Sequence, residues 1–281
     1  MSRGADGLFL SQRKYTLDIL SETGLLGAKP ASSPIDQHHR LALDDGPLYS
    51  NPSQYRRLIG RLIYLTITRP ELCYSVHVLA QFMQSPRLSH WEAALRVLRY
   101  RKGHPGQGIV LRKDSALQLN SYCDSDWASC PLSRRSLTGY FIFLGGSPIF
   151  WKTKKQHTVS RSSAEAEYRS MAHTCSELTW LKTLLKSLGV FYSQPMRLYC
   201  DSQSALHIAA NLFFMNAQNI LRLIVIMYEI KFSLALLLLL MFAQTRSLQT
   251  FSPKLWVVLC LSYFFASWAF VIFMLQLEGE Y

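Results

Sequence analysis

Apolar positions recur at helical spacing through the first hundred residues and at alternate positions beyond them. Tyr15, Ile19 and Leu20 share one stripe, which predicts a helix capped by Ser11 and stopped at Gly24. Residues 28–52 are rich in Pro, Ser and Asp and predict a loop. Pro52 then opens a second helix, with Tyr55, Leu58, Ile59, Leu62 and Ile63 on one face. A third helix starts at Pro70 and aligns Cys73, Val76, Ala80 and Met83. A fourth follows Ser89, whose spacing to Glu92 makes a capping box, and ends near Gly103 and Pro105. All of residues 1 to about 110 therefore reads as helices.

From Leu117 the period falls to two. Leu117, Leu119, Ser121 and Cys123 alternate with Gln118, Asn120, Tyr122 and Asp124, as in a half-exposed strand. Gly139 to Leu144 predicts a second strand, Gly145-Gly146-Ser147-Pro148 a turn, and Ile149 to Thr153 a third strand. Ser162 or Ser163 caps a long helix reaching about Leu188, with Met171, Leu178, Leu181 and Leu185 inward. Met196 to Asp201 is a fourth strand, and Ser204 to Ala210 opens another helix. The order βββαβα predicts an α/β unit.

At 281 residues the chain has room for about two domains. Its net charge of +12 fits a polyanionic partner, and a surface of solvated lysines accounts for it as well. Six cysteines form no CxxC pair and no zinc spacing, so buried free thiols in a reducing compartment are expected. The first residues, MSRGADGLFLSQRKY, hold no long apolar run and no secretory signal, which places the chain in the cytoplasm or nucleus. The far end changes that picture. Leu255 to Leu277 is 23 residues without a charge, long enough to cross a bilayer core of ~30 Å. A tail-anchored membrane protein with a nucleic-acid-binding soluble part is thus the alternative class.

Three acids carry the candidate chemistry: Asp124 at the end of a strand, Glu167 inside the long helix and Asp201 at the end of another strand. Each has a bland reading. An Asp at a strand end starts turns, a Glu near a helix start suits the dipole, and an Asp before Ser-Gln-Ser-Ala is a good N-cap. Asp126 and Glu165 compete for the first two places. Carboxylates from three separate elements can also converge as hard oxygen ligands for Mg²⁺. Two such ions clamp the attacking and leaving oxygens of a phosphodiester.

The words YCDSDWASC, RRSLTGYFIFLGG, WKTKKQHTVSRSSAEAEYRSMA and LYCDSQSALHIA resemble, in order and spacing, the ribonuclease H domain of copia-type LTR-retrotransposon polyproteins. The resemblance implies an RNase H-like mixed sheet, truncated here, and a two-ion Mg²⁺ site held by Asp124, Glu167 and Asp201 in preference to their neighbours. It implies an RNA–DNA hybrid as partner, recognised by backbone shape and 2′-hydroxyls. Arg134, Arg135, Lys152, Lys154, Lys155 and Arg161 are the candidate phosphate contacts, each equally readable as a solvated cation.

The first part resembles the same family just after the polymerase palm, through GLFLSQRKYTLDILSETGLLGAKPASSPID, YRRLIGRLIYLTITRPELCYSVHVLAQFMQSP and HWEAALRVLRYRKGHPGQG. It implies a thumb and connection segment over residues 1–112, ahead of a truncated RNase H-like domain over 113–211. Reverse transcriptases hold their metals on a Tyr-x-Asp-Asp hairpin, and no such word occurs; Asp44-Asp45 lies in a proline-flanked loop. Polymerase activity is not expected.

The match stops at Asn211. Codons able to encode Met215 to Phe232 can spell HERTKHIEIDCHYVRDKI in the neighbouring frame, and those for Gln249 to Trp256, with the last base of Leu248, can spell ADIFTKALG. Both are words with which the family continues. Residues 212–281 therefore read as an out-of-frame, apolar tail, helical or disordered. By resemblance the Asp of ADIFTK is the fourth metal ligand, and it is not translated.

Overall fold

The computed structural model describes residues 1–210 apart from 37, 38, 40, 44, 45 and 192–194. The acidic pair at 44–45 and the apolar tail, with its charge-free stretch at 255–277, lie outside the described residues. Among those described, no helix is long and apolar enough to cross a membrane.

The helical pattern of the first part is realised in α1 (Arg13–Glu22), α2 (Pro52–Leu65), α3 (Cys73–Ala80) and α4 (Leu88–Gly103). Helix α2 starts where the sequence puts it: Pro52 takes the first turn and the Asn51 side chain accepts from Gln54 N–H at 3.0 Å. Two caps differ from expectation. The Ser11 hydroxyl donates to the Gly106 carbonyl at 2.9 Å instead of capping α1. At α4 the N-cap is Arg87, whose N–H donates to His90 Nδ1 at 2.9 Å, and Ser89 lies one residue inside. Ile19, Leu20, Tyr55, Leu62, Leu79 and Leu98 form the fully buried heart of this helical part.

Three short strands were not anticipated there. β1 (Ser2–Gly4), β2 (Gly7–Leu10) and β3 (Ile109–Arg112) form an antiparallel sheet in which Phe9 faces Val110 and Gly7 faces Arg112. Strands of three or four residues show too few alternations to reveal a period. Pairing across about a hundred residues leaves no local trace either.

The second part is a mixed four-stranded sheet of β4 (Leu119–Asp126), β5 (Leu137–Leu144), β6 (Ser147–Lys155) and β7 (Arg197–Tyr199), in the order β6-β5-β4-β7. The first three pair antiparallel, and β7 joins β4 in parallel with Tyr199 beside Tyr122. Gly145, at φ 58°, makes the two-residue turn between β5 and β6, a conformation that costs glycine little. Helix α5 (Ser163–Ser187) covers one sheet face, and α6 (Gln203–Ala210) packs beside it. Leu119, Cys123, Tyr140, Ile142 and Leu198 meet Met171, Leu178, Leu181 and Leu185 there.

The opposite face meets the helical part. Trp151 of β6 donates its indole N–H to the Thr66 carbonyl at 3.0 Å and packs with Cys73 and Ile109. The architecture is α/β, a mixed sheet preceded by several helices.

Candidate metal centre

Strand β4 runs towards the start of α5, and its pleat alternates faces, so Cys123 and Ser125 turn to the α5 side. Ser162 caps α5 by accepting from Glu165 N–H at 3.1 Å, which sets Glu167 in the second turn, on the buried face. Gln156 locks the junction: its amide donates to Thr138 Oγ1 at 3.0 Å, Ser125 Oγ at 3.3 Å and the Ala166 carbonyl at 2.9 Å. Trp127 closes the far side by donating to the Ser160 carbonyl at 3.0 Å.

Within this frame Glu167 Oε1 accepts from Ser125 N–H at 3.1 Å, and Ser170 Oγ donates to the Asp124 carbonyl at 2.8 Å. The carboxyl groups of Asp124 and Glu167 are near enough for each to bear on the other's ionisation. The Cys200 thiol, just past β7, lies 3.9 Å from Glu167 Oε2. One ligand atom each from Glu167, Cys200 and Asp201 lies within 4.8 Å of the other two. The geometry thus groups Glu167 and Asp201 with Cys200, and Asp124 neighbours them through its carbonyl's bond to Ser170 and the action of its charge on Glu167.

Electrostatics set this cluster apart. Burial pushes the Glu167 carboxyl far up, and the Asp124 charge adds to that. Burial also raises Asp124; the neighbouring Glu167 carboxyl opposes the rise and the Asp201 charge reinforces it. No ion pair among the described residues involves any of the three. Like charges crowded at a buried strand end without a base are the surroundings a cation would relieve, so the donors fit a divalent ion.

The competing acids are placed otherwise. Glu165 accepts from the Arg161 N–H at 2.8 Å and pairs with Arg169 at 2.8 Å, and these contacts lower its pKa. Asp126 ends β4, where its charge bears on Tyr74 of α3. The cap of α6 falls to Ser202, which accepts from Ala205 N–H at 3.3 Å, so the exposed Asp201 side chain is not occupied by that role.

Of the six basic residues, Lys152 and Lys155 are engaged on opposite faces of β6. Lys152 sits opposite Tyr140 on the α5 side, and both reach Glu177, Lys152 at 3.3 Å. Lys154 follows on the same side, close enough to depress the pKa of His173, although burial is the larger cause. Lys155 turns to the other face, against Gln81 and, at 3.1 Å, the Cys130 sulfur. Arg134, at φ 54°, and Arg135 are exposed in the turn before β5, and Arg161 is exposed before α5.

Sequence reasoning overlooked two residues. Cys200 contributes a candidate ligand atom, and Cys123 stands beside it across the β4–β7 pair, buried in the same core. Both stand immediately before a singled-out Asp, in YCD, and that repeated word was the available clue. The five described cysteines are all buried and free.

Over 212 residues the chain is 47% identical to the Retrovirus-related Pol polyprotein from transposon RE2 of Arabidopsis thaliana, a match covering 75% of this chain and 15% of that polyprotein. The corresponding polyprotein from transposon TNT 1-94 of Nicotiana tabacum is 34% identical over 213 residues, covering 73% and 16%. The matches support a retrotransposon Pol-family origin for the chain. The chain spans about 15% of the length of those polyproteins. An uncharacterized mitochondrial protein of Arabidopsis thaliana is 46% identical over 174 residues, 62% of this chain and 72% of its own length. No protein-family model matches, and no solved structure does.

Proposed function

We propose that this chain is a remnant of the reverse transcriptase and RNase H region of a copia-type Pol polyprotein. The ancestral activity is Mg²⁺-dependent hydrolysis of RNA in an RNA–DNA hybrid. The observation that supports this reading is the cluster of Glu167 and Asp201 with Cys200, beside which Asp124 of β4 acts on Glu167 through its charge, with no ion pair to a basic residue among those described. A divalent cation held there by Glu167 and Asp201 with Asp124 would supply charge neutralisation at the phosphate and would make a water more acidic. The chain's own part is to aim the carboxylates: Ser125 N–H holds Glu167, and Gln156 fixes the start of α5 against β4. Arg134, Arg135, Lys154 and Arg161 are left to follow a phosphate backbone, since Lys152 and Lys155 are engaged with Glu177, Gln81 and Cys130.

Such a site lacks the fourth acid that the family word ADIFTK supplies, so hydrolysis is expected to be at background. The helical part brings no Tyr-x-Asp-Asp word, and DNA synthesis is not expected. The test is cleavage of a labelled RNA–DNA hybrid by the purified chain in Mg²⁺. Background turnover supports the reading; robust turnover abolished by Asp124→Asn overturns it. The out-of-frame origin of residues 212–281 is tested on genomic DNA, where a neighbouring frame without both family words ends the idea.

A further inference from the structure

We infer that the same cluster is a site for a thiophilic divalent cation of the Zn²⁺ and Cd²⁺ class, bound through Cys200 sulfur together with Glu167 and Asp201, with Cys123 as a positioning residue. The inference rests on reading these carboxylates as a cation site and adds the sulfur to it. An all-oxygen set suits Mg²⁺, whereas a thiolate among the donors favours softer ions.

The geometry is near what such an ion needs. The three ligand atoms lie within 4.8 Å of one another. A tetrahedral ion with bonds of about 2.0–2.3 Å holds its ligand atoms roughly 3.3–3.8 Å apart, so side-chain rotation of about 1 Å closes the site. Cys200 is 4% exposed and Glu167 8%, so both are withdrawn from water, while exposed Asp201 leaves a way in. Among the described residues no lysine, arginine or histidine pairs with these carboxylates, so no side-chain cation competes with an ion for them.

The parallel register explains the second thiol. Tyr122 stands beside Tyr199, so Cys123 stands beside Cys200, and both face the core under α5. The Cys200 S–H donates to Glu167 Oε2 at 3.9 Å, which already turns the sulfur towards the carboxylates. Buried beside it, Cys123 packs against Cys200 and holds its side chain in that direction. Binding replaces the Cys200 proton with the ion and releases the proton to solvent. Two thiolates and two carboxylates would leave two negative charges buried around a divalent ion, so Cys123 stays protonated.

The test adds Co²⁺, and separately Cd²⁺, to the purified full-length chain without nucleic acid. Co²⁺ is expected to produce a near-ultraviolet sulfur-to-cobalt charge-transfer band that Cys200→Ser removes and Cys123→Ser retains. Cd²⁺ binding is expected to weaken at least ~10-fold in Cys200→Ser. If that variant does not fold, Asp201→Asn, at an exposed position, must weaken Cd²⁺ binding at least ~10-fold while keeping a sulfur band. A wild-type chain with no sulfur band, a band that survives Cys200→Ser, or Cd²⁺ affinity unchanged in Asp201→Asn overturns the inference. A chain that binds Mg²⁺ and shows no sulfur band sinks this inference alone. A chain that binds neither ion sinks the cation-site reading as well.

Discussion

The helical part and the sheet part both bury charge, and they handle it in opposite ways. Between α2 and α3 the side chain of Arg69, 1% exposed, pairs with buried Glu71 and donates to the His104 carbonyl at 2.9 Å. Buried Arg101 donates to the same carbonyl at 2.9 Å and to Thr16 Oγ1 at 3.1 Å. Opposite charge and backbone oxygens answer each other there, and the result fixes how α1, α3 and α4 meet. At the end of β4, by contrast, carboxyl groups crowd one another with no base in the group, and Glu167 is driven towards its neutral form. A buried pair completed within the fold is structural. A buried set of like charges left unanswered is a cost that a ligand can offset, and functional sites are where proteins keep such sets.

That contrast can be broken most forcefully in the helical part. Arg69→Met leaves Glu71 buried without its partner and is expected to cost about 3–5 kcal/mol in urea unfolding, while Arg69→Met with Glu71→Leu recovers most of the loss. Equal losses in the single and double variants would show that the pair does not neutralise itself. In the sheet part the sign is the reverse. Glu167 has its folded pKa raised, by burial and then by Asp124, so the stability of its protonated form is full below the unfolded pKa and drains away as pH rises. Without metal, the gap between Glu167→Gln and the natural chain should widen by at least ~1 kcal/mol from pH 5 to pH 8, in favour of the glutamine variant. A gap independent of pH would contradict the crowding of charge.

Two smaller effects sharpen the boundary between the parts. Trp151→Phe keeps the ring against Cys73 and Ile109 and removes the donor to Thr66, so about 1–2 kcal/mol of stability is expected to go. Ser162→Ala removes the cap that starts α5 and should cost about 1 kcal/mol, with Glu167 loosened from Ser125. Both are read from urea midpoints, and the second also from amide exchange at Ser125.

How much of this was visible in the chain depends on how local its cause is. Helix α2 could be read because Asn51, Pro52 and an unbroken apolar stripe all lie within it. The capping serines at 11 and 89 misled for different reasons: Ser11 answers Gly106 across the fold, and α4 begins before Ser89, with Arg87 and His90 making the reciprocal cap. Strands β1 to β3 were hidden because each is only three or four residues long, and because β2 finds β3 across about a hundred residues. The three acids were legible through their words and order. The grouping of Glu167 with Asp201, the turning of Glu165 to Arg169 and the nearness of Cys200 to Glu167 depend on tertiary packing, which no spacing along the chain encodes.

The central claim is that the carboxyl cluster at the end of β4 is a cation site and the charges between α2 and α3 are not. Calorimetric titration of the purified chain with Mn²⁺ at neutral pH tests it most directly. The expected result is saturable binding that Glu167→Gln and Asp201→Asn each weaken about 10-fold or more and that Glu71→Gln leaves unchanged. Absence of saturable binding, or binding indifferent to Glu167→Gln and Asp201→Asn, would contradict the claim.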